Sequence, residues 1–240
     1  MTQILTKQHS PYFWQFDQNC FSDMSENYFT PEYWQAKNAI LGKESGRGTT
    51  WFIKHLEHEL VLRHYLRGGM MRHLSRDSYI FNGYENTRAI AEFNILHILI
   101  NKKLPVPKPA AAQITKHGLV YKADLLTHKI PNARDLVQIL QSPQTTAFYQ
   151  QLGKLLAVFH QQGVFHADLN IQNILYDNQG QFWLIDFDRA RLLSPQKKWQ
   201  EATLSRLKRS FEKERERFGI KWSDNDWQTI IKAYQASTDA

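Results

Sequence analysis

Val164-Phe-His166-Ala-Asp168-Leu-Asn170-Ile-Gln-Asn173-Ile-Leu-Tyr176, continued through Asp177-Asn-Gln-Gly180 to Phe182-Trp-Leu-Ile-Asp186-Phe187, is the stretch from which the rest of the chain is read. Residues 164–173 read as a polar loop. Ile174–Tyr176 and Phe182–Ile185 read as short strands, because apolar runs of this length flank a turn-forming Asp-Asn-Gln-Gly. A loop closed by a tight hairpin makes Asp168, Asn173 and Asp186 converge. Taken singly, each is an ordinary turn-forming Asp or Asn; the interposed strands are what make them a set.

Upstream of this stretch, residues 39–65 read as strand, glycine turn, strand, short turn, strand, with strands at 49–54 and 59–65. Residues 85–102 carry Ile90, Phe93, Leu96 (or Ile95) and Leu99 at helical spacing, and Pro105, Pro107 and Pro109 end that helix. Strands at 110–115 and 119–126 flank a His117-Gly118 turn. Helices are expected at 134–141 and at 145–162, the latter with Leu152, Leu155, Leu156 and Phe159 on one face. After Asp186 the chain becomes basic and helical to about Arg217. A sheet-rich first part and a helix-rich second part, with polar residues at the junction, make an α+β plan.

The 240 residues carry a formal charge of +7, 42% hydrophobic and 22% charged residues. That balance is ordinary for one globular unit without a linker. The positive surplus suits an anionic partner. With neither an RNA-binding aromatic signature nor a zinc-spaced Cys/His set, nucleic acid is not expected as that partner. The single Cys20 cannot form an intramolecular disulfide, the first residues lack a signal-peptide stretch, and no run approaches the roughly 20 apolar residues of a membrane span. Membrane contact is therefore expected to be peripheral.

The chemistry that needs this spacing is phosphoryl transfer. A base accepts the attacking hydroxyl's proton while an amide oxygen and a carboxylate hold the metal ions that bridge the phosphates. Asp168 is the candidate catalytic base, and Asn173 and Asp186 are the candidate metal ligands. His166 is assigned a structural part, packing beneath the loop and fixing its backbone. The Gly46-Arg47-Gly48 turn brings backbone N–H groups within reach of phosphate, a weak signal alone but stronger beside the downstream loop. Arg63 on the third strand supplies a cation for the phosphates, with Glu92 on the following helix as its partner. As an alternative, either could be an ordinary surface charge.

Arg63-His-Tyr-Leu-Arg-Gly-Gly69, Glu92, the loop 166–173, Ile185-Asp-Phe-Asp-Arg-Ala-Arg191 and Leu204-Ser-Arg-Leu-Lys-Arg-Ser210 together resemble the lipopolysaccharide kinase family, nearest to the members acting on 3-deoxy-D-manno-octulosonic acid (Kdo). The resemblance covers nearly the whole chain. It implies a protein-kinase-like two-lobed α+β fold over 1–240, with a small antiparallel-sheet N-lobe and N-terminal extension in 1–126 and a reduced helical C-lobe with basic C-terminal helices in 127–240. It also implies ATP and Mg2+ or another divalent metal as cofactors. The implied reaction is phosphorylation of a Kdo hydroxyl on a Kdo-lipid A precursor, by a peripheral protein on the anionic surface of the bacterial inner membrane, at its cytoplasmic face.

Departures from protein kinases narrow the class. Ala167 replaces the arginine before the base, Asp188 replaces the glycine after Phe187, and no Ala-Pro-Glu stretch follows, which argues against a peptide substrate. Asn170 stands where protein kinases have a lysine on the transferring phosphate, so that charge must be met elsewhere, by Arg189 or by metal. Residues 205–221 hold seven Lys/Arg against three Glu, and Leu204, Leu207, Phe211 and Phe218 lie on one helical side. This fits either interfacial docking or packing on the protein's own core. Two alternatives stand beside the family reading: a soluble kinase of the aminoglycoside or choline kinase type, and a catalytically inactive nucleotide-binding module.

Overall fold

The computed structural model describes residues 3–45, 48–67 and 77–238, and the chain divides into two compact units. The first comprises 1–102 and 107–129, the second 103–106 and 130–240.

The first unit is built on one antiparallel sheet. Its strands are β1 (Ile4–His9), β2 (Tyr12–Asp17), β3 (Ile40–Ser45), β4 (Thr49–His55), β5 (His58–His64), β6 (Tyr79–Ile80), β7 (Pro109–His117) and β8 (Val120–His128). They run in the order β1-β2-β7-β8-β5-β4-β3, with β6 added to β8. Both faces are covered. Trp14, Phe16, Ile53, Leu60, Leu62, Ala111 and Leu126 pack under Cys20, Phe21, Met24, Phe29 and Trp34, the last on the short helix α1 (Pro31–Ala36). On the other face Ala112, Ile114, Ala123 and Leu125 pack with Ala89, Ile90 and Phe93 of α2 (Arg88–Asn101). Two covered faces explain why 110–112 reads as an unbroken apolar run rather than as alternation.

No strand is expected in the N-terminal extension, yet β1 and β2 join the sheet, β2 pairing with β7 from Tyr12↔Thr115 to Phe16↔Ala111. The helix expected from residue 85 begins at Arg88, after a 3-10 turn at Tyr84–Asn86.

The second unit is mostly helical. Its elements are β9 (Arg134–Asp135), α3 (Leu136–Ile139), α4 (Thr146–Gln161), β10 (Val164–Phe165), β11 (Ile174–Tyr176), β12 (Phe182–Leu184), β13 (Arg191–Leu192), α5 (Lys197–Phe218) and α6 (Asp224–Thr238). The helix expected at 134–141 shrinks to one turn. Arg134 and Asp135 pair instead with Tyr176 and Leu175 of β11, and the Asp135 carboxylate then caps the turn by accepting from the Gln138 amide. On α4, Leu152, Leu156 and Phe159 are buried as the periodicity requires. Gly163 ends the helix at φ +75, and a Cβ there would meet the Leu193 carbonyl oxygen at 2.3 Å.

On α5, Leu204, Leu207 and Phe211 are buried while Phe218 is 45% exposed, and Gly219 at φ +64 stops the helix. Core packing therefore accounts for three of the four apolar positions. The basic side chains of α5 are partly engaged within the same unit: Lys208 lies 3.7 Å from both Glu212 and Asp224, and Arg215 covers the Trp222 ring. Helix α6, which sequence reading did not separate, packs along α4.

The α4–α6 contact turns on Gly153. A Cβ at this position would sit 2.3 Å from the Ile230 carbonyl oxygen and 3.0 Å from the Ala233 Cβ. Gly153→Ala is expected to cost about 3 kcal/mol, because a backbone carbonyl on a packed helix cannot step aside as a side chain would. The check is the urea midpoint, which should fall with little change in slope; an unchanged midpoint would mean that the two helices separate freely.

Candidate active site

The loop before β11 is held by its backbone. His166 is 3% exposed; its Nε2 donates to the Ile185 carbonyl at 2.9 Å, and its Nδ1 accepts from the Asp168 amide at 3.2 Å. That pairing fixes one neutral tautomer, and burial lowers the pKa of the ring. His166 thus ties the loop to the end of β12, the structural part its position suggested. The Asn170 and Asn173 amide nitrogens both donate to the Asp168 carbonyl at 2.9 Å, and Asn170 Oδ1 accepts from the Gln172 amide. Asn170 is therefore occupied in shaping the loop.

With its backbone N–H and C=O both tied, the Asp168 carboxylate is left to point outward, its side chain 42% exposed. Among the described residues one group meets it: Arg206 Nη1 on α5 donates to Asp168 Oδ1 at 3.1 Å. One turn further along α5, Ser210 Oγ accepts from the Ile171 amide at 3.1 Å. The helix thus touches the loop through two residues at i and i+4, on the side anchored by Leu207 and Phe211. Arg206 was grouped with the charges of a basic tail; its observed position is against the candidate base.

The β11–β12 hairpin, in register Ile174↔Leu184, carries Asn173 and Asp186 at its open end, where the Ile185 amide donates to the Asn173 carbonyl at 3.0 Å. Since Asn173 uses its amide nitrogen within the loop, its oxygen is the atom suited to a metal. An amide oxygen and a carboxylate are hard donors of the kind Mg2+ takes. Asp186 has φ +61 and Arg189 φ +58, left-handed conformations that side chains other than Gly, Asn and Asp rarely adopt. Phe187, 1% exposed, packs against His166 with ring centroids 4.9 Å apart. Arg189 extends to solvent, its side chain 73% exposed, with Nε 3.7 Å from Asp188.

In the first unit, alternation along β5 sends Leu60 and Leu62 to one face and Arg63 to the α2 face, where Glu92 is buried. Arg63 Nη2 donates to Glu92 Oε1 at 2.5 Å, the Tyr65 hydroxyl donates to the other Glu92 oxygen, and the Arg63 guanidinium lies over the Tyr65 ring at 5.1 Å. The pair expected from sequence is formed, and Tyr65, which was not singled out, completes its hydrogen bonding. Of the glycine turn, Gly46 and Arg47 lie outside the described residues. At Gly48 a Cβ would meet Leu66 Cδ1 at 2.7 Å, so a side chain there would require the Leu66 side chain to shift. In the run 63–76, Arg72 and Arg76 also lie outside the described residues.

The first unit also gathers Cys20, His58 and His128, distant in sequence, with possible ligand atoms within 4.8 Å of one another. Burial pushes the Cys20 thiol up to about 12 and, with the nearby Lys108 charge, His128 down to about 4. Cys20 and His128 are therefore neutral near pH 7.

The sequence model of the lipopolysaccharide kinase (Kdo/WaaP) family matches residues 31–234. A protein of Vibrio parahaemolyticus described as 3-deoxy-D-manno-octulosonic acid kinase is 46% identical over 219 residues, 91% of this chain and 92% of that protein. Proteins of the same description from Vibrio cholerae and Mannheimia succiniciproducens are 46% identical over 92% of this chain and 40% identical over 97% of it, covering 93% and 100% of their own lengths.

Proposed function

Since the chain belongs to the lipopolysaccharide kinase (Kdo/WaaP) family, we propose that it transfers the γ-phosphoryl group of ATP to a hydroxyl of a Kdo residue on a Kdo-lipid A precursor. The observation that carries this reading is the outward carboxylate of Asp168, on a loop shaped by hydrogen bonds from His166, Asn170 and Asn173 to the Asp168 backbone, followed by Asn173 and Asp186 at one hairpin end.

Asp168 is the base that receives the acceptor hydroxyl's proton. Asn173 and Asp186 hold a divalent cation, Mg2+ by donor chemistry, which when bound neutralises charge on the transferring phosphates. Arg63, braced by buried Glu92, binds ATP phosphates as a lysine would elsewhere, and the Gly46-Arg47-Gly48 turn covers them. We read the sheet-bearing unit as the N-lobe and the helical unit as the C-lobe of a kinase-like fold.

The acceptor is membrane-borne, and we read the enzyme as a peripheral protein at the cytoplasmic face of the inner membrane. Its +7 charge favours an anionic surface. Among the described residues no helix is long and apolar enough to cross a membrane.

The test is to incubate purified protein with Mg2+, γ-labelled ATP and either Kdo-lipid A precursor or an aminoglycoside. Label should enter the glycolipid alone. Label in the aminoglycoside would favour a soluble small-molecule kinase, and label in neither, with ATP still bound, an inactive nucleotide-binding module.

A further inference from the structure

The Asp168–Arg206 contact presents a chemical difficulty for a base. The guanidinium holds Oδ1, and among the described residues no side chain holds Oδ2, so the attacking hydroxyl must compete with Arg206 where it approaches on the Oδ1 side. Arg206 spends one of its five N–H donors on Asp168, and its side chain is 50% exposed. It sits on a helix that Leu207 and Phe211 anchor and that Ser210 fastens to the loop backbone, so its reach is set by the fold. Asn170, the residue at the lysine position, is committed to the loop. Among the described residues, Arg206 is then the cation in contact with the base.

We propose that Arg206 is the residue that recognises the acidic group of the acceptor, turning from Asp168 to the carboxylate of an acidic sugar and releasing Asp168 for the sugar hydroxyl. The proposal rests on the function read above, whose acceptor, an octulosonic acid, carries a carboxylate on the same ring system as its hydroxyls. A guanidinium fork matches a carboxylate with two parallel hydrogen bonds, whereas it holds Asp168 through a single one. The exchange is therefore favourable for an acidic sugar and has no counterpart for a neutral one. Once it has occurred, the acceptor oxygen bonds to the γ-phosphorus, the bond from that phosphorus to the bridging oxygen breaks with its electrons leaving on ADP, and the hydroxyl proton passes to Asp168. The contact thus acts as a specificity gate, because the base is released by the substrate feature that identifies the correct sugar.

The experiment compares Kdo-lipid A precursor with the same precursor whose Kdo carboxyl is reduced to an alcohol, using native protein, Arg206→Gln and Arg206→Lys. Native protein should prefer the acid form by on the order of 100-fold in kcat/KM, the worth of a two-pronged charge-assisted contact. Arg206→Gln should lose most of its rate on the acid form, gain rate on the reduced form because Asp168 Oδ1 is no longer held, and so discriminate less than about 5-fold. Arg206→Lys should fall between, since charge remains without the fork.

Equal use of both acceptors by native protein would overturn the gate while leaving the kinase reading intact. Equal losses on both acceptors in Arg206→Gln would do the same, making Arg206 a general structural or charge-neutralising group. If native protein phosphorylates neither acceptor, the function itself is wrong and the gate falls with it. The native comparison needs no variant to fold.

Discussion

Asp168→Asn is expected to lower kcat by about 1000-fold or more, with ATP affinity within about 2-fold of native and an unchanged melting temperature. The three parts of this expectation follow from separate observations. Asparagine keeps the size of the side chain but cannot take up a proton at pH 7, so the loss falls on turnover. The hydrogen bonds that shape the loop run through the Asp168 backbone, from His166, Asn170 and Asn173, so its conformation does not need the carboxylate. Its one side-chain contact among the described residues, to Arg206, is half exposed and contributes little to stability. Initial rates with saturating labelled ATP and a nucleotide-binding titration make the measurement; native turnover in the variant would remove Asp168 from the chemistry.

Asp186→Asn is expected to abolish phosphoryl transfer and to weaken ATP binding in the presence of Mg2+ by about 100-fold, while barely altering metal-free nucleotide binding. Asparagine suits this test better than alanine, because residue 186 has φ +61, which asparagine tolerates. A loss seen with alanine would mix backbone strain with lost ligation; one seen with asparagine belongs to the charge. Titrations with and without Mg2+ separate this variant from Asp168→Asn, which should lower turnover alone. Equal affinity in both titrations would move the metal ligand elsewhere.

The parts of the site that sequence reading reached are those whose geometry is local. Asn173 and Asp186 come to one end of a hairpin because a five-residue turn, 177–181, joins two three-residue strands, and a hairpin of that length has few ways to close. Arg63 and Glu92 belong to different elements, but each sits on a periodicity that aims it: period two along β5, and the apolar stripe of α2 with Ile90 and Phe93. Arg206 and Ser210 had no such pointer. Their helix is basic and amphipathic, and an exposed arginine on it looks the same whether it faces solvent or another loop. Only tertiary packing of Leu207 and Phe211 turns it toward residue 168. The opposite error arose at Arg134 and Asp135, where helical propensity lost to pairing with β11, a partner some 40 residues away that no window on the local sequence includes.

The family match starts at residue 31, whereas the sheet starts at Ile4. A domain boundary drawn from sequence similarity would therefore cut away two strands that are integral to the first unit. Removal of β1 and β2 would strip β7 of its neighbour along Ala111–Thr115 and turn an internal strand into a bare edge. It would also take Trp14 and Phe16 out of the core beneath Trp34. An unpaired edge beside a newly opened apolar face is the arrangement that invites intermolecular strand pairing. A trimmed protein would thus be a precipitation hazard even with every residue of the 166–186 loop and hairpin intact, and loss of activity in it would say nothing about catalysis.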